Sequence, residues 1–182
     1  MLSALQEEKI RRFFNLLDFD RNGVIEREDF VGIAENLCLL LDIDEGSPQF
    51  HALMKKFNGN WDRFNFFVSN NDEKATWEHF KKFADGVIVN GDEVLFNVYV
   101  ENFVGELFDN FDVDKDGTID IEEFTDLYVD YRIEVRYAAK AFRNLDRDKN
   151  DSISRSELIG AVQEYFRSNN PDAPGNWLFG RG

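Results

Sequence analysis

The sequence predicts an all-α fold of four helix–loop–helix units in two pairs, each pair joined by a short antiparallel strand pairing between its loops. Two observations carry this. Three acidic 12-residue segments repeat one pattern: DFDRNGVIERED (residues 18–29), DVDKDGTIDIEE (residues 112–123) and DRDKNDSISRSE (residues 146–157). Around each segment, apolar residues recur one and four places before it, at its eighth position and directly after its twelfth.

The first unit is framed by Phe14, Leu17, Ile25 and Phe30. The same frame projected onward finds a second unit, with Phe64, Phe67, Ala75 and Phe80 placed around residues 68–79. Its loop has Val68 at position 1, Glu73 at position 6 and His79 at position 12, so it keeps the packing and loses the ligands. Phe108, Phe111, Ile119 and Phe124 frame the third unit; Phe142, Leu145, Ile153 and Leu158 frame the fourth. A lone unit leaves its position-8 residue uncovered, which predicts pairing of Ile25 with Ala75 and of Ile119 with Ile153. Gly86 marks a helix stop and Asn90-Gly91-Asp92 a turn into a new N-cap. The expected division is therefore residues 1–90 as an N-terminal pair, its second hand degenerate, and residues 91–182 as a C-terminal pair with a tail from 169. Cys38 sits at helical spacing with Ala34, Leu37 and Leu41 and reads as a buried core thiol.

Composition excludes several classes. The chain has 182 residues, 36 Asp+Glu against 21 Lys+Arg and a formal net charge of −15, which repels nucleic acid and anionic lipid. Hydrophobic residues at 43% with 19 Phe exclude a disordered acidic tail. One cysteine permits no internal disulfide and no cysteine-based zinc site. The opening MLSALQEEKIRR turns charged too early for a secretory leader, Leu2 stands where N-myristoylation needs Gly, and no apolar run nears the roughly 18 residues of a membrane span. The expected location is cytoplasmic. With no Gly-rich phosphate loop and only His51 and His79, the chain reads as a non-enzyme.

The three segments have a cation's chemistry written into their spacing. A hard divalent ion such as Ca²⁺ takes six to eight oxygens at roughly 2.3–2.6 Å. A tight loop brings side chains 1, 3 and 5 round the ion, the carbonyl of residue 7 joins them, position 9 acts directly or through water, and residue 12 closes the cage. In the first loop these are Asp18, Asp20, Asn22, Val24, Glu26 and Asp29. In the third hand they are Asp112, Asp114, Asp116, Thr118, Asp120 and Glu123. The fourth hand offers Asp146, Asp148, Asn150, Ser152, Ser154 and Glu157. Asp29 is one methylene shorter than Glu, which favours six-coordination and gives Mg²⁺ a better chance there. Asp151 replaces the usual Gly at position 6 and must turn left-handed. Loop charges of −3, −5 and −1 account for −9 of the −15.

Live hands at one, three and four with a dead second hand resemble the EF-hand sarcoplasmic calcium-binding proteins and calerythrin. DFDRNG, Asp29 and the ending PDAPGNWLFG carry the resemblance. It implies a compact cytosolic Ca²⁺ buffer that also takes Mg²⁺. The residues agree: only two Met are present, where a sensor lines its target groove with them. Trp177, Leu178 and Phe179 are expected to fold back onto a lobe. The protein is expected to be a monomer that does not require a protein target, although a Ca²⁺-dependent regulator of a partner stays open as an alternative. The other alternative is a carrier of an apolar small ligand in a photoprotein-like cavity, lined by Trp61, Trp77 and the Phe clusters.

Overall fold

The computed structural model describes residues 1–69 and 72–180. Asn70 and Asn71 of the second loop, and Arg181 and Gly182 of the tail, lie outside the described residues. Eight α-helices are joined in the predicted rhythm: α1 (Ala4–Leu17), α2 (Arg27–Leu40), α3 (Pro48–Val68), α4 (Trp77–Phe83), α5 (Glu93–Phe111), α6 (Ile121–Asp130), α7 (Ala138–Leu145) and α8 (Arg155–Arg167). Two-residue strands β1 (Val24–Ile25) and β2 (Ala75–Thr76) form one antiparallel ribbon, and β3 (Thr118–Ile119) and β4 (Ile153–Ser154) form the other. The register pairs Ile25 with Ala75 and Ile119 with Ile153, as the position-8 argument requires.

The helices start where short polar side chains can satisfy free amides. Ser47 accepts from the Phe50 amide with Pro48 in the first turn of α3. Asp92 accepts from the Val94 and Leu95 amides to open α5. The stop expected at Gly86 does not occur there: after α4 the chain continues through Gly86 as a single π-helical stretch, Ala84–Val89, and breaks only at Asn90-Gly91. Gly tolerates that wide turn as well as a termination.

The chain packs as two units, one of residues 11–84 and one of residues 1–10 with residues 85–182. The cut expected near residue 90 falls at Ala84–Asp85, and the first ten residues side with the second unit. In the first unit Phe30 meets Trp61 and Phe64 at ring separations of 5.8 and 5.5 Å, and Phe64 stacks on Phe80 at 6.0 Å. Cys38 is buried in α2, as its spacing predicts. One frame residue departs: Phe67 is 65% exposed, while Val68 is 8% exposed. With no ion to face, the apolar residue at position 1 turns inward, and its neighbour, about 100° round the helix, turns out.

In the second unit the end of α8 gathers three segments. The Lys9 ammonium donates to the Glu164 and Ser168 carbonyls at 3.2 and 2.8 Å and to Asn176 Oδ1 at 3.0 Å. Tyr165 Oη donates to the Lys9 carbonyl at 2.7 Å, and Gln6 Nε2 to the Arg167 carbonyl at 3.0 Å. Burial pulls the Lys9 pKa down to about 8, partly opposed by Glu164 and Glu8. Arg167 reaches the other way, donating to the Ile88 and Gly91 carbonyls and lying over the Phe96 ring at 3.7 Å. The tail completes the group: Gly175 N–H donates to Glu164 Oε2, Tyr128 Oη to the Trp177 carbonyl, and Leu178 and Phe179 are buried. A Cβ on Gly175 would stand 2.4 Å from the Ala161 carbonyl, so no other residue fits that approach.

Candidate metal centres

Each acidic loop is built by the same ladder of short hydrogen bonds. The position-1 carboxylate accepts from the amide of position 6: Gly23 to Asp18 at 3.0 Å, Gly117 to Asp112 at 3.2 Å, Asp151 to Asp146 at 3.1 Å. Position 3 accepts from the amide of position 5, with Asn22 to Asp20, Asp116 to Asp114 and Asn150 to Asp148 at 2.9, 3.0 and 3.2 Å. Position 5 accepts from position 7, with Val24 to Asn22, Thr118 to Asp116 and Ser152 to Asn150 at 3.0, 2.7 and 2.9 Å. These local turns curl the backbone so that the side chains at 1, 3 and 5 converge, which is the reason Asp and Asn suit those places.

Two backbone sites per loop must go left-handed. Position 4 does so in all three, at Arg21 (φ 63°), Lys115 (φ 60°) and Lys149 (φ 60°). Position 6 follows at Gly23 (φ 92°), Gly117 (φ 88°) and Asp151 (φ 63°). Asp151 thus adopts the conformation that its place demands, within the left-handed well that Asp tolerates.

The position-12 carboxylate closes every loop on backbone amides. Glu123 accepts from Val113 at 2.7 Å and Asp120 at 3.0 Å; Glu157 accepts from Arg147 and Ser154, both at 2.8 Å. Asp29 closes its loop in the same way, from Phe19 at 2.8 Å and Glu26 at 2.7 Å. The shorter side chain still spans the gap.

Metal-competent oxygens follow. Asp18, Asp20 and Asp29 bring carboxylate oxygens within 4.8 Å of one another, as do Asp112, Asp114 and Asp116, and Asp146, Asp148 and Glu157. Glu123 stands outside the third-hand cluster, its oxygens turned to the Val113 and Asp120 amides. The remaining site candidates divide. Val24, Thr118 and Ser152 sit at position 7, the first two on the ribbon strands. At position 9, Asp120 and Ser154 cap α6 and α8, and Glu26 is tied to Asn22 and Lys74.

The residues fit a divalent cation on two counts. Their donors are hard oxygens. Asp18 Oδ1 and Asp112 Oδ1 are also buried with no hydrogen-bond partner among the described residues, an orphaned state that an ion would satisfy. Burial raises the Asp18 and Asp29 carboxyls above their ordinary range, against the pull of the loop amides. At Glu157 burial also pushes upward, but the Ser154 hydroxyl and the Ser154, Arg147 and Asp148 amides outweigh it and hold the carboxyl low. Among its described residues the second hand shows none of this: Val68 is buried and Thr76 caps α4 by accepting from His79 N–H.

Four hands in two ribbon-joined pairs with three acidic loops define an EF-hand calcium-binding protein, and comparison with known proteins places the chain within that class. Models of the EF-hand domain pair match residues 101–163 and 1–37. Calerythrin from Saccharopolyspora erythraea is 27% identical over 91% of this chain and 94% of its own. The sarcoplasmic calcium-binding proteins I, III and IV of Branchiostoma lanceolatum are 24% identical over 73% of this chain and 74% of theirs. The coelenterazine-binding protein of Renilla muelleri, in its calcium-loaded apo form, superposes with a TM-score of 0.78 at 19% identity, covering 100% of both chains; that likeness is one of fold alone. The protein is an EF-hand calcium-binding protein resembling the calerythrin and sarcoplasmic calcium-binding protein group. Among the described residues no helix is long and apolar enough to cross a membrane.

Proposed function

We propose that the chain is a cytosolic Ca²⁺ buffer, a binding protein and not an enzyme, with three working sites in the first, third and fourth hands. The single observation that supports it most is the repetition of one loop ladder in those three hands, down to the position-12 carboxylate resting on the same two amides. The ligand set is Asp18, Asp20, Asn22 and Asp29 with the Val24 carbonyl; Asp112, Asp114, Asp116 and Glu123 with the Thr118 carbonyl; and Asp146, Asp148, Asn150 and Glu157 with the Ser152 carbonyl. Asp120 and Ser154 act at position 9 through water, while Glu26, at the same place in the first loop, is tied to Asn22 and Lys74.

The bound ion supplies positive charge among carboxylates that repel one another in its absence. The chain's own residues do the rest. The amide ladder holds the oxygens in place, and the position-12 carboxylate closes the cage and pulls the following helix against its pair. The first hand, with Asp29, is the one that takes Mg²⁺ at rest. A buffer reading over a sensor reading is supported by the buried Leu178 and Phe179, which cover apolar surface on the C-terminal pair that a target helix would otherwise use.

Calorimetric Ca²⁺ titration with and without millimolar Mg²⁺ tests this reading. The expected result is a stoichiometry of three, with Mg²⁺ weakening uptake chiefly at the first hand. Two sites or fewer, or a protein captured only with Ca²⁺ at micromolar affinity or better, overturns the three-site buffer.

A further inference from the structure

The register of the first ribbon pairs Val24 with Thr76 and Ile25 with Ala75, so one step further Glu26 faces Lys74. The Lys74 ammonium stands 2.9 Å from Glu26 Oε2, and the other carboxylate oxygen of Glu26 accepts from Asn22 Nδ2 at 3.1 Å. Both oxygens of the first loop's position-9 acid are thereby engaged by protein groups. Lys74 comes from position 7 of the ligand-poor second loop, and Glu28 and Glu73 add negative charge around it. The second ribbon has nothing comparable: its register sets Asp120 opposite Ser152, which is uncharged, and Asp120 caps α6. A cation therefore projects from the dead loop onto the live one in one pair only.

We propose that Lys74 sets the divalent-ion affinity of the first hand, as a monovalent charge held against that loop's position-9 acid. It lowers that affinity in two ways of the same sign. It holds Glu26 away from the ion, and it places a positive charge beside an incoming one. This rests on the reading that the first loop binds Ca²⁺. A single charge several ångströms from a divalent ion, in a water-like dielectric with physiological screening, changes affinity by roughly three- to tenfold. An ordinary exposed cross-strand ion pair would change stability slightly and leave ion affinity alone.

The test is a calorimetric titration with Ca²⁺ alone, in the full chain carrying Glu123→Gln and Glu157→Gln to weaken the other two loops, with and without Lys74→Gln. The expected result is some three- to tenfold tighter binding in Lys74→Gln at low ionic strength, a gap that narrows as salt is added. Lys74→Arg should bind like the unsubstituted residue, and Glu26→Gln should remove most of the difference that Lys74→Gln makes. Equal affinity within twofold at low ionic strength overturns the proposal while leaving the Ca²⁺ reading standing. No uptake by the first loop in either chain overturns both. In the otherwise unsubstituted chain, chelator-triggered release supplies a second measurement: Lys74→Gln should slow the loss of the first-loop ion, and an unchanged rate counts against the proposal.

Discussion

The first and fourth loops each break the calcium-loop pattern at one place, and the molecule absorbs the two breaks by different means. The fourth loop places Asp at position 6, and its cost is conformational: Asp151 sits at φ 63° where Gly117 in the third hand sits at 88°. The first loop places Asp at position 12, and its cost is reach, met by drawing the short carboxylate onto the Phe19 and Glu26 amides. The electrostatics then diverge. Asp29 is 1% exposed and its carboxyl is raised by burial, while Glu157, with the longer arm and the Ser154 hydroxyl, is held low. Equal ladders can therefore hold unequal carboxylates.

The largest expected effect comes from removing the metal. A ligand at a thousandfold its dissociation constant stabilises by about 4 kcal/mol per independent site, so chelation should lower the melting temperature by more than 10 °C. Equal melting curves in chelator and in millimolar Ca²⁺ would sink the idea that ion binding completes the fold.

Single ligands come next. Glu157→Gln removes the charged arm that bridges Arg147 and Ser154, and should weaken the fourth site by ten- to a hundredfold, on the scale of 1.5–3 kcal/mol for bonds to a charged group. Asp29→Glu should move the first loop the other way, tightening Ca²⁺ and loosening Mg²⁺ severalfold; competition titration reads both. If Mg²⁺ affinity instead rose, the reach argument would be wrong.

Titration of the metal-free chain separates the two loops by sign. Asp18 and Asp29 have folded pKa values above the ordinary 3.8. They bind protons more readily folded than unfolded, so the first loop should gain stability as pH falls through the raised values toward 3.8. Glu157 has a folded pKa below 4.5, so its stabilisation is complete above 4.5 and fades as pH falls through the lowered value. Residue-resolved amide exchange followed from neutral pH down through 4.5 and 3.8 should show the loops moving oppositely; parallel behaviour would erase the distinction. The smallest effect is Asp151→Gly, which relieves a left-handed Asp and should raise melting temperature by a few degrees, about 0.5–1 kcal/mol.

Most of this was legible from spacing. Ile25 and Ala75, or Ile119 and Ile153, could be paired on paper because a two-stranded ribbon obliges position 8 of each loop to meet its counterpart. Phe67 departs from the frame, which expects an inward position −1, because the loss of the position-1 ligand lets Val68 take the core place. The association of residues 1–10 with the second unit had no periodic signal. It runs through Gln6 and Lys9, the latter one lysine among the chain's 21 basic residues, and their acceptors arrive from more than 150 positions away. Glu26 offered itself as a ligand by position, and only the ribbon register disclosed the lysine across from it.

The gathering of distant segments at the end of α8 also dictates an order of assembly. Residues 11–84 form a unit from neighbouring sequence and can close while the remainder is still being synthesised. Gln6 and Lys9 find their acceptors at Glu164, Arg167, Ser168 and Asn176, so the start of the chain must wait for those residues to leave the ribosome. Contacts at such sequence separation slow folding because the intervening loop must be closed first. The first ten residues therefore complete their contacts last, after α8 and the tail have emerged.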